Sequence, residues 1–199
     1  ILLHSINAAG SAYEMKPIFE HYRDRYRVYA LDWPGFGFSE RSQRPYTAGL
    51  YRQALEDLLH EVPTPAIVCA LSLGCEFAAT VALEHPEQVK GLMLISPTGL
   101  ETGAAKRTGS GSREIPGMSL LFERPPWSGW VYRQLTRPSV IRYFLRRTFG
   151  SDQVDEPMVE YDAITARQPG AEHAQLSNLT GRLFSRGLPA VYQGLTQPV

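Results

Sequence analysis

Short apolar runs alternate with helical patterns through the first half of the chain, and this alternation constrains the fold more than any other feature. The apolar runs predict four strands, within residues 1–4, 26–33, 64–72 and 89–96. Helical spacing between them predicts helices over residues 14–24, 47–61 and 74–85, the second capped by Thr47. Continuous apolar strands alternating with helices are typical of a parallel sheet covered on both faces. The predicted fold class is therefore α/β, with a parallel doubly wound sheet.

The second half of the chain differs from the first in its composition and in its apolar pattern. A polar, glycine-rich stretch at residues 102–113 predicts a flexible connector. Helices are predicted after it, over residues 138–149 with Gly150 as the stop, 157–167 and 172–186.

We interpret residues 1–100 as a core and residues 101–187 as a helical cap inserted over the carboxyl edge of the sheet, where such sheets bind ligands. Residues 188–199 are expected to return to the core, where "LTQPV" begins another strand. Because the chain also starts inside an apolar run without a methionine, we expect it to be an internal piece of a longer protein.

The charge balance and the cysteines narrow the classes of function. The 20 basic and 20 acidic side chains cancel, so no nucleic-acid partner is indicated. No apolar run reaches the ~18 residues of a membrane span. Cys69 and Cys75 do not suggest a disulfide framework, which favours a reducing compartment, and we expect a cytoplasmic protein. Neither metal-ligand spacing nor a phosphate loop is present, so no metal or cofactor is predicted.

The segment "ALSLG" has the form of a nucleophile elbow, in which a serine lies on a tight turn between a strand and a helix. Such a turn needs small residues two positions before and two after Ser72, and Ala70 and Gly74 meet that need. The alternative is that Ser72 only caps the helix beginning near Gly74. The strand–turn–helix context favours the nucleophile.

Two other segments agree with the elbow. "LLHS" ends the first strand with His4 and Ser5, and "DWPGFGFSE" follows the second strand, beginning at Asp32. These segments, in this order before "ALSLG", resemble those of the α/β-hydrolase family, which includes esterases, C–C hydrolases and cofactor-free haloperoxidases. The resemblance spans residues 1 to about 100 and implies a partial α/β-hydrolase sheet with an inserted helical cap.

The resemblance also implies roles for particular residues. Ser72 would attack an acyl carbon, and the backbone N–H groups of Leu73 and Ile6 would hold the oxyanion. Ser5 stands where the family usually has glycine, so its side chain is expected to reshape the oxyanion loop. Asn7 is a candidate for an additional side-chain donor.

The same resemblance gives His4 and Asp32 supporting, structural roles and places the triad acid and histidine after residue 199. The chain contains four other histidines that are candidates for the base: His21, His60, His85 and His173. The first two fall on flanking helices and His85 precedes a proline at a helix end, so only His173, in the cap, is a remote alternative.

For three other side chains the sequence allows more than one interpretation. Cys75 follows Ser72 in the first helical turn, where a thiol pKa can fall, but core packing is favoured. Trp127 and Trp130 either line a substrate pocket or pack within the cap, and contact with a membrane is the least favoured alternative.

The predicted function is a serine hydrolase that cleaves a small or medium apolar ester through an acyl-enzyme on Ser72. A serine at this position argues against the family branches with an aspartate nucleophile, the epoxide hydrolases and haloalkane dehalogenases. The alternatives are a C–C hydrolase or lyase on the same scaffold, and a non-catalytic member that only binds a ligand or partner. The sequence leaves the oligomeric state open.

Overall fold

The computed structural model describes residues 1–63, 65–100, 111–115, 117–118 and 127–199. Within these residues, four strands form one parallel sheet, which confirms the predicted fold class. The strands are β1 (Leu2–Leu3), β2 (Ala30–Leu31), β3 (Ala66–Leu71) and β4 (Val89–Ile95), in the order β2-β1-β3-β4. The strands β1 and β2 are only two residues long, shorter than their apolar runs suggested.

Helices cover both faces of this sheet. The helix α1 (Lys16–Tyr22) follows a 3₁₀ turn (Ala12–Met15) and lies on one face, with α2 (Ala48–Glu61) and α3 (Gly74–Glu84) on the other. Thr47 caps α2 as predicted, because its hydroxyl accepts the Leu50 N–H at 3.3 Å. The buried aromatic side chains between α2, α3 and the sheet are Trp33, Phe36, Tyr46, Tyr51 and Phe77.

Four helices lie wholly within the described residues of the segment predicted as the cap, and we call them the cap helices. They are α4 (Ser128–Leu135), α5 (Pro138–Phe149), α6 (Glu156–Thr165) and α7 (Ala171–Leu179). Gly150 follows α5 with a φ of 63°, in the left-handed region, and so ends that helix as predicted. The helix α4 was not predicted. Most of the predicted connector, residues 102–110, lies outside the described residues.

The prediction of one helix over residues 172–186 is wrong. The helix α7 ends at Leu179, and Gly181 follows with a φ of 80°. The buried side chain of Leu183 therefore belongs to an irregular segment that packs into the main core. Because Leu183 is apolar, the helical sequence pattern continues beyond Leu179, where the helix ends.

Residues 188–199 pack against the core. The helix α8 (Leu188–Gly194) was not predicted, and its Tyr192 hydroxyl donates to the Thr98 carbonyl at 2.8 Å. The predicted strand at the end of the chain is not formed within residues 195–199. A single backbone hydrogen bond, from Leu92 N–H to the Pro198 carbonyl at 2.9 Å, joins this segment to β4.

The strand order places a crevice where the site residues are found. The chain leaves β1 toward β2 on one side and later returns to β3 on the other, so the connections diverge between β1 and β3. Ligands of open α/β sheets bind outside the carboxyl ends of the strands at such a point. Ser5 follows β1 and Ser72 follows β3, so both lie at this edge of the sheet.

Candidate active site

Ser72 occupies a strained turn between β3 and α3. Its φ is 56°, in the left-handed region that costs an L-residue roughly 1–2 kcal/mol. Two backbone hydrogen bonds hold this conformation: Ser72 N–H donates to the Ile95 carbonyl at 2.9 Å, and Cys75 N–H donates to the Ser72 carbonyl at 3.0 Å. The hydroxyl has no hydrogen-bond partner within the described part of the chain, and the residue is half-buried.

The glycine two residues after Ser72 is required by close packing of backbones. A Cβ at Gly74 would lie 2.9 Å from the carbonyl oxygen of His4, at the end of β1. That carbonyl is itself held in place, because it accepts the Trp33 indole N–H at 3.0 Å. The turn at Ser72 and the loop after β1 are therefore in direct contact.

The two N–H groups expected to bind the oxyanion both lack an acceptor among the residues that the structure describes. They belong to Leu73, which immediately follows Ser72, and to Ile6, in the loop after β1. Both residues are buried. By contrast, the N–H of Ser5 donates to the Glu14 carboxylate at 2.8 Å, so only some amides of this loop are unpaired.

His4 is buried, and both of its ring nitrogens form hydrogen bonds with neighbouring backbone groups. Its Nε2 accepts the Trp33 N–H at 3.1 Å, so Nδ1 carries the proton donated to the Ser5 carbonyl at 2.6 Å. Burial lowers the pKa of His4, against smaller raising effects of the Glu14 and Asp32 carboxylates. The neutral ring joins the loops after β1 and β2, and neither nitrogen is directed at Ser72.

The carboxylate of Asp32 binds backbone groups on two sides. It accepts the N–H of Ala12 at 2.7 Å and the N–H of Phe38 at 2.9 Å. A Cβ at Gly37 would lie 2.0 Å from its Cγ, so the loop wraps the carboxylate so closely that only glycine fits there. Asp32 lies 4.0 Å from His4 Nε2, and its hydrogen bonds are those of a loop-ordering residue.

Asn7 makes contacts other than those expected of an oxyanion donor. Its side-chain amide donates to the Ser5 hydroxyl at 2.8 Å and to a Glu14 carboxylate oxygen at 2.5 Å, while its Oδ1 accepts the Ala9 N–H at 2.9 Å. Both amide hydrogens are thus engaged within the loop. The suggestion that Asn7 donates to an oxyanion is corrected accordingly: it supports the loop instead.

Sequence reasoning missed two acidic residues that organise this region. Glu14 accepts hydrogen bonds from Ser5 and Asn7. Glu76 lies fully buried in the first turn of α3, where it accepts the Thr98 hydroxyl at 2.6 Å and the Ser185 N–H at 2.9 Å. A glutamate inside the otherwise apolar face of α3 was a visible signal for the second, because acidic side chains are seldom buried without partners.

The remaining histidines are not brought to Ser72. His85 is at the end of α3, with Nε2 3.7 Å from a Glu56 carboxylate oxygen. His21 and His60 lie in the last turns of α1 and α2, on the flanks of the sheet. His173, in α7, lines a pocket together with Gln43, Arg44 and Pro45, and Ser72 is not among its lining residues.

Both cysteines are free and buried. The Cys75 thiol donates to the Ala70 carbonyl at 3.2 Å, and burial raises its pKa to about 12. The packing interpretation of Cys75 is therefore confirmed. Burial also raises the pKa of Cys69.

The two cap tryptophans differ in their surroundings. Trp127 lines a cavity of about 80 Å³ between α4 and α7, together with Ala8 from the loop after β1, Tyr132 and Leu176. Trp130 is 58% exposed and is not among the residues that line this cavity. Of the two, only Trp127 lines this cavity, and a role in a substrate pocket stays a prediction.

No described helix is long and apolar enough to cross a membrane. Likewise, no cluster of three or more His, Cys, Asp or Glu side chains suited to a metal ion occurs in the described ranges.

Comparison with known proteins agrees with the strand–turn–helix geometry at Ser72. The chain is 35% identical over 77 residues to a pimeloyl-[acyl-carrier protein] methyl ester esterase of Nitrosospira multiformis, covering 37% of this chain and 29% of the relative. It is 25% identical over 153 residues to the uncharacterized hydrolase YugF of Bacillus subtilis, covering 76% of this chain and 52% of the relative. The matched residues thus span 29% and 52% of the lengths of these two relatives.

A solved structure shares the fold. The meta-cleavage product hydrolase from Pseudomonas fluorescens IP01 superposes with a TM-score of 0.66 at 18% identity, covering 98% of this chain and 68% of that one. The sequence model of the alpha/beta hydrolase family matches residues 1–196, nearly the whole chain. The chain therefore belongs to the alpha/beta hydrolase family.

Proposed function

We propose that this chain provides the nucleophile and the oxyanion hole of a serine hydrolase that cleaves carboxylic esters. Ser72 is the nucleophile, and the N–H groups of Leu73 and Ile6 bind the oxyanion. Residues 1–100 form the catalytic core and residues 101–187 the cap, with residues 188–199 returning to the core.

The observation that carries this proposal is the local geometry of Ser72. A serine with a φ of 56° has an unpaired hydroxyl at the carboxyl edge of the sheet, next to the unpaired Leu73 N–H. A serine that only capped α3 would accept a hydrogen bond from the first turn of that helix, and the Ser72 side chain accepts none among the described residues. Backbone strain of this kind is concentrated at functional sites, where the surrounding structure maintains it.

The chemistry follows from these positions. The Ser72 oxygen attacks the ester carbonyl, its proton passes to a general base, and the carbonyl oxygen becomes an oxyanion. The two N–H groups stabilise that charge, and the loss of one such donor costs about 3 kcal/mol. The intermediate expels the alcohol, which takes the proton, and leaves an acyl-Ser72 ester that water then hydrolyses.

The acid and the base of this triad are proposed to lie in the protein after residue 199, in the order typical of the family. Support comes from the histidines of this chain, all of which are described. Both ring nitrogens of His4 are hydrogen-bonded to backbone groups, and the contacts of the other histidines do not include Ser72. Without a general base a serine is a weak nucleophile, so residues 1–199 alone are expected to be inactive.

The proposed substrate is an apolar ester of small or medium size. The relatives named as pimeloyl-[acyl-carrier protein] methyl ester esterases support ester hydrolysis, and the apolar lining of the cavity at Trp127 supports an apolar group. No cofactor is required by this chemistry.

The test is covalent labelling of the full-length protein with a fluorophosphonate, followed by intact mass. The variant is Ser72→Ala, and the matched control is Ser96→Ala. Ser96 also follows a strand of the sheet and also has a positive φ, 49°. We expect one probe per molecule in the wild type and the control, and none in Ser72→Ala.

Absence of labelling in a folded wild-type protein would overturn the serine-hydrolase proposal and favour the non-catalytic alternative. If labelling is found but a panel of esters is not hydrolysed, carbon–carbon bond substrates become the next class to assay.

A further inference from the structure

One carboxylate, that of Glu14, binds two residues of the loop after β1. Glu14 accepts the backbone N–H of Ser5 at 2.8 Å through Oε2. Its Oε1 accepts the Ser5 hydroxyl at 3.0 Å and the Asn7 side-chain amide at 2.5 Å. The Asn7 amide also donates to the Ser5 hydroxyl at 2.8 Å. These four bonds close a network, which we call the Glu14 clasp, of Ser5, Asn7 and Glu14.

The Glu14 clasp brackets the amide of Ile6. Ser5 is fixed on one side through both its N–H and its side chain, and Asn7 on the other through its side chain. The Ile6 N–H between them has no acceptor in the described residues. The Ile6 N–H lies in the same planar peptide group as the Ser5 carbonyl, which accepts the His4 Nδ1 proton at 2.6 Å, so the Glu14 clasp and this bond together determine where the Ile6 N–H points.

Glu14 is itself well anchored. It lies in the 3₁₀ turn Ala12–Met15, whose first residue donates its N–H to Asp32 at 2.7 Å. Met15, the last residue of the turn, is buried against the sheet. The carboxylate is therefore supported by the core and not by the loop that it holds.

The network also explains the serine at position 5. Glycine there would supply the backbone N–H but no hydroxyl, and two of the four bonds of the Glu14 clasp involve that hydroxyl. The side chain of Ser5 thus contributes hydrogen bonds that order the loop.

We propose that Glu14 is a positioning residue for catalysis, whose carboxylate sets the Ile6 N–H to receive the oxyanion. This inference rests on the proposed function, since it requires Ile6 to be an oxyanion donor. Three donors surround the carboxylate, so its negative charge is absorbed within the clasp, where it would otherwise oppose an oxyanion nearby.

The experiment measures kcat and KM of the full-length protein on a p-nitrophenyl ester, with active sites counted by end-point fluorophosphonate labelling. The variants are Glu14→Ala and Glu14→Gln, and the matched control is Glu20→Gln. Glu20 is exposed on α1, 3.9 Å from Lys16. Counting active sites removes any effect of misfolded protein from kcat.

We expect Glu14→Ala to lower kcat per active site about 10- to 100-fold, which is part of the 10²–10³ lost with a whole oxyanion donor. KM should change less than about threefold, because the misplaced N–H acts mainly on the transition state. Glu14→Gln retains one acceptor oxygen and should recover part of the loss. Glu20→Gln should match the wild type.

A kcat per active site that is unchanged in Glu14→Ala would overturn the positioning role, as would a Glu14→Gln variant no better than Glu14→Ala. The proposed function fails differently, through a folded wild type that neither labels nor hydrolyses the ester. The two failures are therefore distinguishable in the same set of measurements.

Discussion

The strained backbone at Ser72 predicts that removing its Cβ stabilises the protein while abolishing the chemistry. In Ser72→Gly the backbone hydrogen bonds to Ile95 and Cys75 persist, because neither uses the side chain. Relief of the left-handed conformation contributes roughly 1–2 kcal/mol. The greater freedom of glycine in the unfolded chain costs roughly 0.5–1 kcal/mol. The net expectation is a free energy of unfolding higher by about 0.5–1 kcal/mol.

Ser72→Ala separates strain from the loss of the hydroxyl. Alanine keeps the Cβ and so keeps the strain, and the hydroxyl that it lacks had no partner among the described residues. Its unfolding free energy should therefore remain close to that of the wild type. Both variants should lose fluorophosphonate labelling, whereas Ser96→Gly should gain similar stability, since its φ is 49°, and should keep its labelling.

The assay is urea unfolding of the full-length protein, with the midpoint and the slope fitted for each variant. A higher midpoint at unchanged slope is expected for both glycine variants. If Ser72→Gly proves no more stable than Ser72→Ala, the positive φ carries no strain, and the argument from stored strain to function is refuted.

Three other expectations can be measured on the same protein. Gly37→Ala should lower the free energy of unfolding in urea by at least about 3 kcal/mol, because its Cβ would lie 2.0 Å from the Asp32 carboxyl carbon. Gly150 has open space around it, so Gly150→Ala should lower that free energy by only about 1 kcal/mol. Equal effects of the two substitutions would contradict this prediction. Cys75 should resist iodoacetamide at pH 8 until the protein is denatured, because burial raises its thiol pKa to about 12, and rapid native alkylation seen by mass spectrometry would argue otherwise. Burial, with a smaller effect from Glu14, raises the pKa of Asp162 to about 8, so the folded protein retains a proton that the unfolded chain releases near pH 4. The protonated Asp162 carboxyl therefore stabilises the folded protein fully below pH 4, and this contribution is lost as the pH rises through 8. Asp162→Asn should reduce the fall of the unfolding free energy over this pH range, measured by urea unfolding. The same pH dependence in the variant and the wild type would contradict this prediction.

The features that sequence predicted are those with short-range causes. The Thr47 cap requires only a hydroxyl three residues before the N–H that it accepts. Gly150 ends α5 through its own φ. The turn at Ser72 is defined by the small residues two positions to either side of it. Each of these depends on side-chain size or on a contact within one helical turn, which is information that local sequence contains.

The features that sequence did not predict depend on contacts between distant segments. Glu76 binds Thr98 and Ser185, which are 22 and 109 residues away along the chain. Periodicity cannot reveal such partners, because it reports only which face of one element is apolar. For the same reason, Leu183 extended a helical pattern although it is buried by tertiary packing outside any helix.

The loop after β1 shows why a division into core and cap is incomplete. Its backbone carbonyls at Asn7 and Ala8 accept hydrogen bonds from Gln175 of α7 and from the Tyr132 hydroxyl of α4, the latter at 3.2 Å. Ala9 packs in the apolar cluster of the cap helices, while Ser5 is bound to Glu14 of the core. The segment that contains the Ile6 N–H is thus held from both sides. Since a preorganised donor requires support on both sides, the cap helices would contribute, under the proposed function, to the position of the Ile6 N–H.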